Sequence, residues 1–157
     1  MALTLTDREI ARLILESKLL PNGYESRMQL TPKRGHSERE VDIVGASGDN
    51  FRLILRQSLF NILDFSVILA YRLPRSNELF RLRRYNGRSH EHTNSIERQT
   101  FYEFHIHQAT ERYQEIGARE DAYAVPTDRF ADLSGAVECM VVDCNFDRPP
   151  QIQRKLL

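Results

Sequence analysis

The stretch Phe65-Ser66-Val67-Ile68-Leu69-Ala70-Tyr71-Arg72-Leu73, then Pro74-Arg75-Ser76-Asn77, then Leu79-Phe80-Arg81-Leu82-Arg83-Arg84-Tyr85, decides the fold. The first run is rich in β-prone residues and apolar on both faces, as a strand in the middle of a sheet must be. The loop after it has the length and residue types of a hairpin connection, so the second run reads as its antiparallel partner. Asn86-Gly87 is a turn dipeptide that ends this partner.

Working outward, Arg39–Val44 and Phe51–Arg56 alternate apolar with polar residues around the Gly45–Asn50 turn, and both read as strands. Glu25–Thr31 reads as a further strand, set off by the Pro32–Gly35 turn. Downstream, Phe101–His107 is expected as one continuous strand, with Tyr102, Phe104 and Ile106 on one face and Glu103, His105 and His107 on the other. Helices flank the strands. Thr6 and Glu9 form a capping box ahead of Ile10, Leu13 and Ile14, predicting a helix from there to about Leu19. Ala109–Ile116 predicts a short helix, and a longer one follows Pro126, capped by Thr127 and carrying Phe130, Leu133, Val137, Met140, Val141 and Cys144 at helical spacing. The expected architecture is a single α+β domain over residues 1–146. Its mainly antiparallel, curved sheet is packed by an N-terminal and a longer C-terminal helix, and a flexible tail covers 147–157.

Composition bounds the partners. Lys+Arg and Asp+Glu are balanced at 22 each, so the molecule has no net field that steers it to nucleic acid or membrane. Nineteen of those 22 basic residues are arginine, and Arg72, Arg75, Arg81, Arg83, Arg84 and Arg88 fall in one short stretch opposed only by Glu78. Arginine's planar fork suits phosphate or carboxylate, so this strip points to an anionic partner. Paired arginines on a solvent face are the plain alternative. The N-terminal run carries Asp7, Arg8, Glu9 and Arg12 and lacks the pattern of a signal peptide. No run approaches the ~20 apolar residues needed to span a bilayer, so no membrane partner is expected. Two cysteines, Cys139 and Cys144, fit a reduced cytoplasm as small core residues.

Four of the five histidines form two H-x-H pairs, His90-Glu91-His92 and His105-Ile106-His107. On extended backbone each pair projects both rings from one face, and neighbouring strands would bring all four together. Glu97 and Glu103 are nearby carboxylates that can ligate, orient an imidazole or act as a base. Three readings stand side by side: a divalent-metal site, a metal-free acid/base pair with arginines binding phosphate, and a polar network without chemistry. Histidines 90 and 92 with Glu97 are similar to a first cupin motif, but the glycines are misplaced and no second motif follows. Tyr85, beside the first pair, is a candidate for stacking on a base, with a core tyrosine as the favoured reading.

The segments Arg84-Tyr85-Asn86-Gly87, His90-Glu91-His92-Thr93-Asn94, Phe104-His105-Ile106-His107 and Ala109-Thr110-Glu111-Arg112-Tyr113-Gln114 resemble a family of prokaryotic and phage proteins grouped by a domain of unknown function, over about residues 42–146. The Arg84-Tyr85-Asn86 turn with histidines 90, 92, 105 and 107 is also similar to TumE-type toxins of bacterial toxin–antitoxin pairs. The first resemblance names no activity, and the second implies a toxin only through Arg84, Tyr85, Asn86 and the four histidines. The adjacency of the histidine pairs to the arginine strip leads to the expectation of a nucleic-acid-directed protein of a mobile-element or defence system, a toxin-like ribonuclease. His90, His92, His105, His107, Glu97 and Glu103 would supply its catalytic groups, or the four histidines its metal ligands. Arg81, Arg83, Arg84, Arg88 and Tyr85 would hold RNA. Its protein partner would be an antitoxin or host target, with homo-oligomers a further option. Two alternatives stay open: a non-enzymatic phage inhibitor or adaptor, and a small metal-binding enzyme.

Overall fold

The structure is a computed structural model and describes residues 3–149. In chain order the elements are α1 (Asp7–Leu15), β1 (Lys18–Leu19), α2 (Tyr24–Arg27), β2 (Thr31–Pro32), β3 (His36–Val44), β4 (Asn50–Ser58), β5 (Phe65–Arg72) and β6 (Leu79–Asn86). There follow β7 (His92–Asn94), β8 (Gln99–Phe101), β9 (His105–Gln108), α3 (Glu111–Glu115), β10 (Tyr123–Pro126), α4 (Leu133–Asp143) and β11 (Phe146–Asp147). The 65–85 hairpin forms as its sequence predicts. Its first strand, β5, is the middle one of a seven-stranded antiparallel sheet ordered β10-β9-β6-β5-β4-β3-β2.

One face of that sheet is apolar. Phe51, Leu53, Leu55, Val67, Leu69, Phe80, Leu82 and Tyr85 point from it toward α1 and α4, which contribute Ile10, Leu13, Ile14, Ala136, Met140 and Val141. The opposite face stays open over β3, β4 and β5. Over β6 and β9 the β7–β8 hairpin lies against it. The β5–β6 register contains one irregularity: Leu69 pairs with Arg83 but Ala70 pairs with Arg81, so Leu82 is the extra residue of a β-bulge. Arg81 and Arg84 therefore share the open face, while Arg83 turns toward α4.

The first helix ends at Leu15, not Leu19. Lys18 explains the early stop, because its fully buried ammonium doubles back to the carbonyls of Leu13, Ile14 and Glu16 and also takes that of Cys144, at 2.8–2.9 Å. A cation is thus held at the C-terminal ends of α1 and α4, where the helix dipoles favour it. Burial pulls this ammonium down to about 8, so it stays charged at neutral pH.

Other expectations are corrected. Glu25–Thr31 is no strand: Gly23 adopts φ +68° and starts the one-turn helix α2, leaving only Thr31–Pro32 to pair with β3. Phe101–His107 is divided into β8 and β9 by a break at 102–104. There the Glu103 side chain takes the Tyr102 N–H, and the Glu103 carbonyl takes the His105 ring. The sheet gains β10, which the sequence reading missed, and Thr127 extends that pairing through its N–H to the Phe104 carbonyl. The last helix is capped instead by Asp132, whose carboxylate accepts from the Gly135 N–H at 2.8 Å. Asp147, read as tail, pairs with Leu19 in β11, and residues 150–157 lie outside the described part. Among the described residues no helix is long and apolar enough to cross a membrane.

Candidate metal centre

β9 lies between β6 and β10, and this register builds the site. His105 stands opposite Asn86 and Pro126, and His107 opposite Arg84 and Ala124. Both imidazoles rise from the open face, yet they are only 1% and 4% exposed, because the β7–β8 hairpin lays His92 over them. The His92 ring stacks on His105 at 5.5 Å and meets His107 edge-on at 4.8 Å, and His105 and His107 are 4.9 Å apart. One ring nitrogen from each of the three lies within 4.8 Å of the others. Three nitrogens bound at 2.0–2.1 Å around a tetrahedral zinc stand about 3.3 Å apart, so rotation of the rings by small χ changes closes the set onto an ion.

The remaining ring nitrogens are all committed. His105 donates through Nδ1 to the Glu103 carbonyl at 2.8 Å, and His107 donates through Nδ1 to the Asp121 carbonyl at 2.7 Å. A carbonyl oxygen only accepts, so each Nδ1 carries the proton and each Nε2 keeps its lone pair. His92 is fixed by a side chain. Asn94 donates from Nδ2 to the Ala124 carbonyl at 2.7 Å and accepts the Ala124 N–H on Oδ1 at 2.9 Å, which sets the orientation of its amide. That same Oδ1 lies 2.8 Å from His92 Nε2, which must then be the donor and leaves Nδ1 with the lone pair. Imidazoles whose N–H groups are held by carbonyl oxygens keep the other nitrogen free to ligate, which is how such partners prepare a histidine for a metal. Asn86 Nδ2 approaches His105 Nε2 only at 3.5 Å, a weak contact at most.

Electrostatics favours the neutral rings. Burial pulls His105 down to about 4, helped by His92, His90 and Arg84. Burial and then Arg84 pull His107 down to about 2. Both shifts favour the unprotonated ring, the form that ligates a metal.

The expected site residues separate in space. His92, His105 and His107 converge. His90 is exposed at the rim, its ring 6.4 Å from His105 and its Nδ1 3.0 Å from the Ser89 hydroxyl. Glu97 belongs to another cluster, where Arg112 grips it with two N–H groups and Tyr113 donates its hydroxyl. Glu103 serves the site through its backbone carbonyl, not its carboxylate. The arginine strip is broken up. Arg81 and Arg84 are held by Asp121 at 3.6 and 3.1 Å, with Glu120 also on Arg81. Arg83 faces the other way, and Arg88 donates to the Tyr102 carbonyl and lies over that ring. Tyr85 is fully buried, its hydroxyl donating to Asp143 at 2.7 Å, and no base can stack on it. Sequence reasoning missed Asn94 and Asp121. The first was findable, since His92 and Asn94 are two apart on a strand and share a face. The second carries no local signal.

No protein-family model matches this chain, and it has no significant match to a curated protein or a solved structure.

Proposed function

We propose that this chain is a metal-dependent hydrolase whose divalent ion, zinc in the first instance, is held by His92, His105 and His107. The observation that carries the reading is the set of three imidazoles, each with one ring nitrogen fixed by an oxygen acceptor, that bring one ring nitrogen apiece within 4.8 Å of the others. Three protein ligands leave an open coordination position, as catalytic sites do and closed structural sites do not. An ion there supplies an activated water and a Lewis acid for attack at phosphorus. His90, exposed at the rim, is placed to meet a substrate that approaches from solvent. The toxin-like ribonuclease expected from the sequence is retained in this metal-centred form, with RNA as substrate.

Elemental analysis and chelator-competition titration of untagged protein provide the test. One equivalent of zinc is expected, with His105→Ala and His107→Ala each weakening it at least about 100-fold, given that even groups behind the ligands are worth 10–100-fold. Zinc-dependent RNA cleavage should vanish in the same variants. Protein that takes up no divalent ion refutes the proposal.

A second reading, the adaptor that binds a protein, has its own support. Phe60 and Ile62 are 87% and 75% exposed at the tip of the β4–β5 loop, flanked by Leu59 and Leu63. Such apolar exposure marks contact surfaces. A stoichiometric complex recovered from the native host and lost with Phe60→Ser/Ile62→Ser would favour it over the hydrolase.

A further inference from the structure

The open face carries a second feature at the same end of the sheet as the histidines. A cavity of about 390 Å³ is lined by Arg34, His36, Arg56, Ser58, Ser66 and Asp64, among others. The strand register links it to the histidine centre without a break. His105 stands opposite Asn86, Asn86 opposite Ser66, and Ser66 opposite Arg56. Side chains paired in this way share one face. The row therefore runs from a buried imidazole, through a neutral amide and a hydroxyl, to a guanidinium. Adjacent strands are 4.7–4.9 Å apart, so His105 and Arg56 are separated by about 14 Å. The middle of the row is already ordered, with the Ser66 hydroxyl donating to Asn86 Oδ1 at 2.8 Å.

The charges in this cavity differ from those of the expected arginine strip. Arg81 and Arg84 are locked to Asp121, whereas Arg34 is exposed and makes no ion pair among the described residues. Arg56 is half exposed, and its Nε is steadied by Glu38 at 3.6 Å, from the neighbouring strand. Glu38 also stands 3.6 Å from His36 Nε2. Against the two guanidiniums the cavity wall itself sets only Asp64. A carboxylate behind an arginine orients the fork and leaves its other N–H groups to point outward.

We propose that this cavity is a phosphate subsite of the same active face, and that the substrate is a single-stranded polyphosphodiester, RNA, that runs from it over the open β4 and β5 toward the β7–β8 hairpin covering β6 and β9. One phosphate then lies in the fork of Arg56 and Arg34 while another, about 14 Å along the strand, lies at the rim of the histidine centre beside exposed His90. A single phosphate ester is too short to touch both, and an open sheet face is a platform on which extended single strands bind. Exposed Tyr102, which follows the Phe101 ring packed on His92 and His105 and is itself covered by Arg88, supplies a surface for a base at the histidine end. The shared use of one substrate rests on the metal-centred reading above, but the subsite can be tested apart from it.

The experiment measures binding of a short fluorescent single-stranded oligoribonucleotide by anisotropy, over a range of salt, using full-length untagged protein stripped with chelator. Zinc affinity is titrated on the same preparations. Arg34→Ala/Arg56→Ala should bind RNA about tenfold more weakly, and its slope of log affinity against log salt should shrink by about 0.7 for each phosphate contact removed. Asp64→Asn, which removes the opposing charge, should bind several-fold more tightly. Neither change should alter zinc affinity. If the arginine variant keeps both the wild-type affinity and the wild-type salt slope, the subsite is refuted. Equal affinity for double-stranded RNA or heparin refutes it as well, since that is unspecific charge attraction. RNA binding that depends on these arginines in a protein without zinc affinity keeps the subsite and removes the metal centre. Zinc binding without RNA binding does the reverse.

Discussion

Replacing Asn94 by alanine probes both the fold and the site, and its effect can be worked from four contacts. The Asn94 side chain is fully buried and bonds the N–H and the carbonyl of Ala124 and the Nε2–H of His92, with a longer contact to Gln99. Asn94→Ala leaves the two backbone groups of buried Ala124 without partners, at about 1–3 kcal/mol each when water does not reach them. A loss of about 4 kcal/mol follows for the metal-free protein, lowering its thermal midpoint by about 10 °C at 2–4 °C per kcal/mol. The same change frees His92 to adopt either tautomer and either ring orientation, so zinc affinity should fall 10–100-fold. Urea titration of stripped protein reads the first effect, and chelator competition reads the second. A variant that is destabilised as stated yet binds zinc like the wild type would show that the His92 tautomer is not set by Asn94, and the reasoning behind the site would fail.

Three further outcomes are expected. In stripped protein, His105 and His107 are held below the ordinary histidine value, so between pH 6.5 and about 4.5 the unfolded chain binds more protons than the folded one. Stability should therefore fall with pH by up to about 1.4 kcal/mol per unit for each histidine, and His107→Gln should flatten the urea-midpoint profile in that window. Lys18→Met leaves the carbonyls of Leu13, Ile14, Glu16 and Cys144 without their shared cation and should cost about 3–5 kcal/mol by urea denaturation, whereas a loss below about 1 kcal/mol would show that these helix ends need no ammonium. Leu69→Ala, at a fully buried position of the central strand, should cost about 3 kcal/mol by the same measurement, with zinc affinity unchanged.

The central hairpin was legible because three signals agree over 65–87: β propensity, apolar patterning and a turn dipeptide. The site was legible only in part. The spacing of His105 and His107 placed both rings on one face, but whether His92 would join them depended on where a hairpin of two three-residue strands docks, which rests on Asn94 meeting Ala124 thirty residues away. β10 escaped notice because four residues ending in proline carry too little pattern to stand out from a loop. The division of 101–107 was invisible because the alternation of apolar residues runs straight through it, while side-chain and carbonyl bonds at Glu103 interrupt the pairing.

The extra residue at Leu82 has a consequence for anyone who alters this strand. Two arginines separated by two positions in sequence, 81 and 83, end up on opposite sides of the sheet, while 81 and 84 end up together. Deleting Leu82 would restore an unbroken two-residue alternation with Arg81 still opposite Ala70 and Arg83 still opposite Leu69, so the remaining side chains would keep their faces and only the buried Leu82 side chain would be lost. A single-codon deletion at this point should therefore leave the pairing of the strand intact and cost about 2–5 kcal/mol for the lost core side chain.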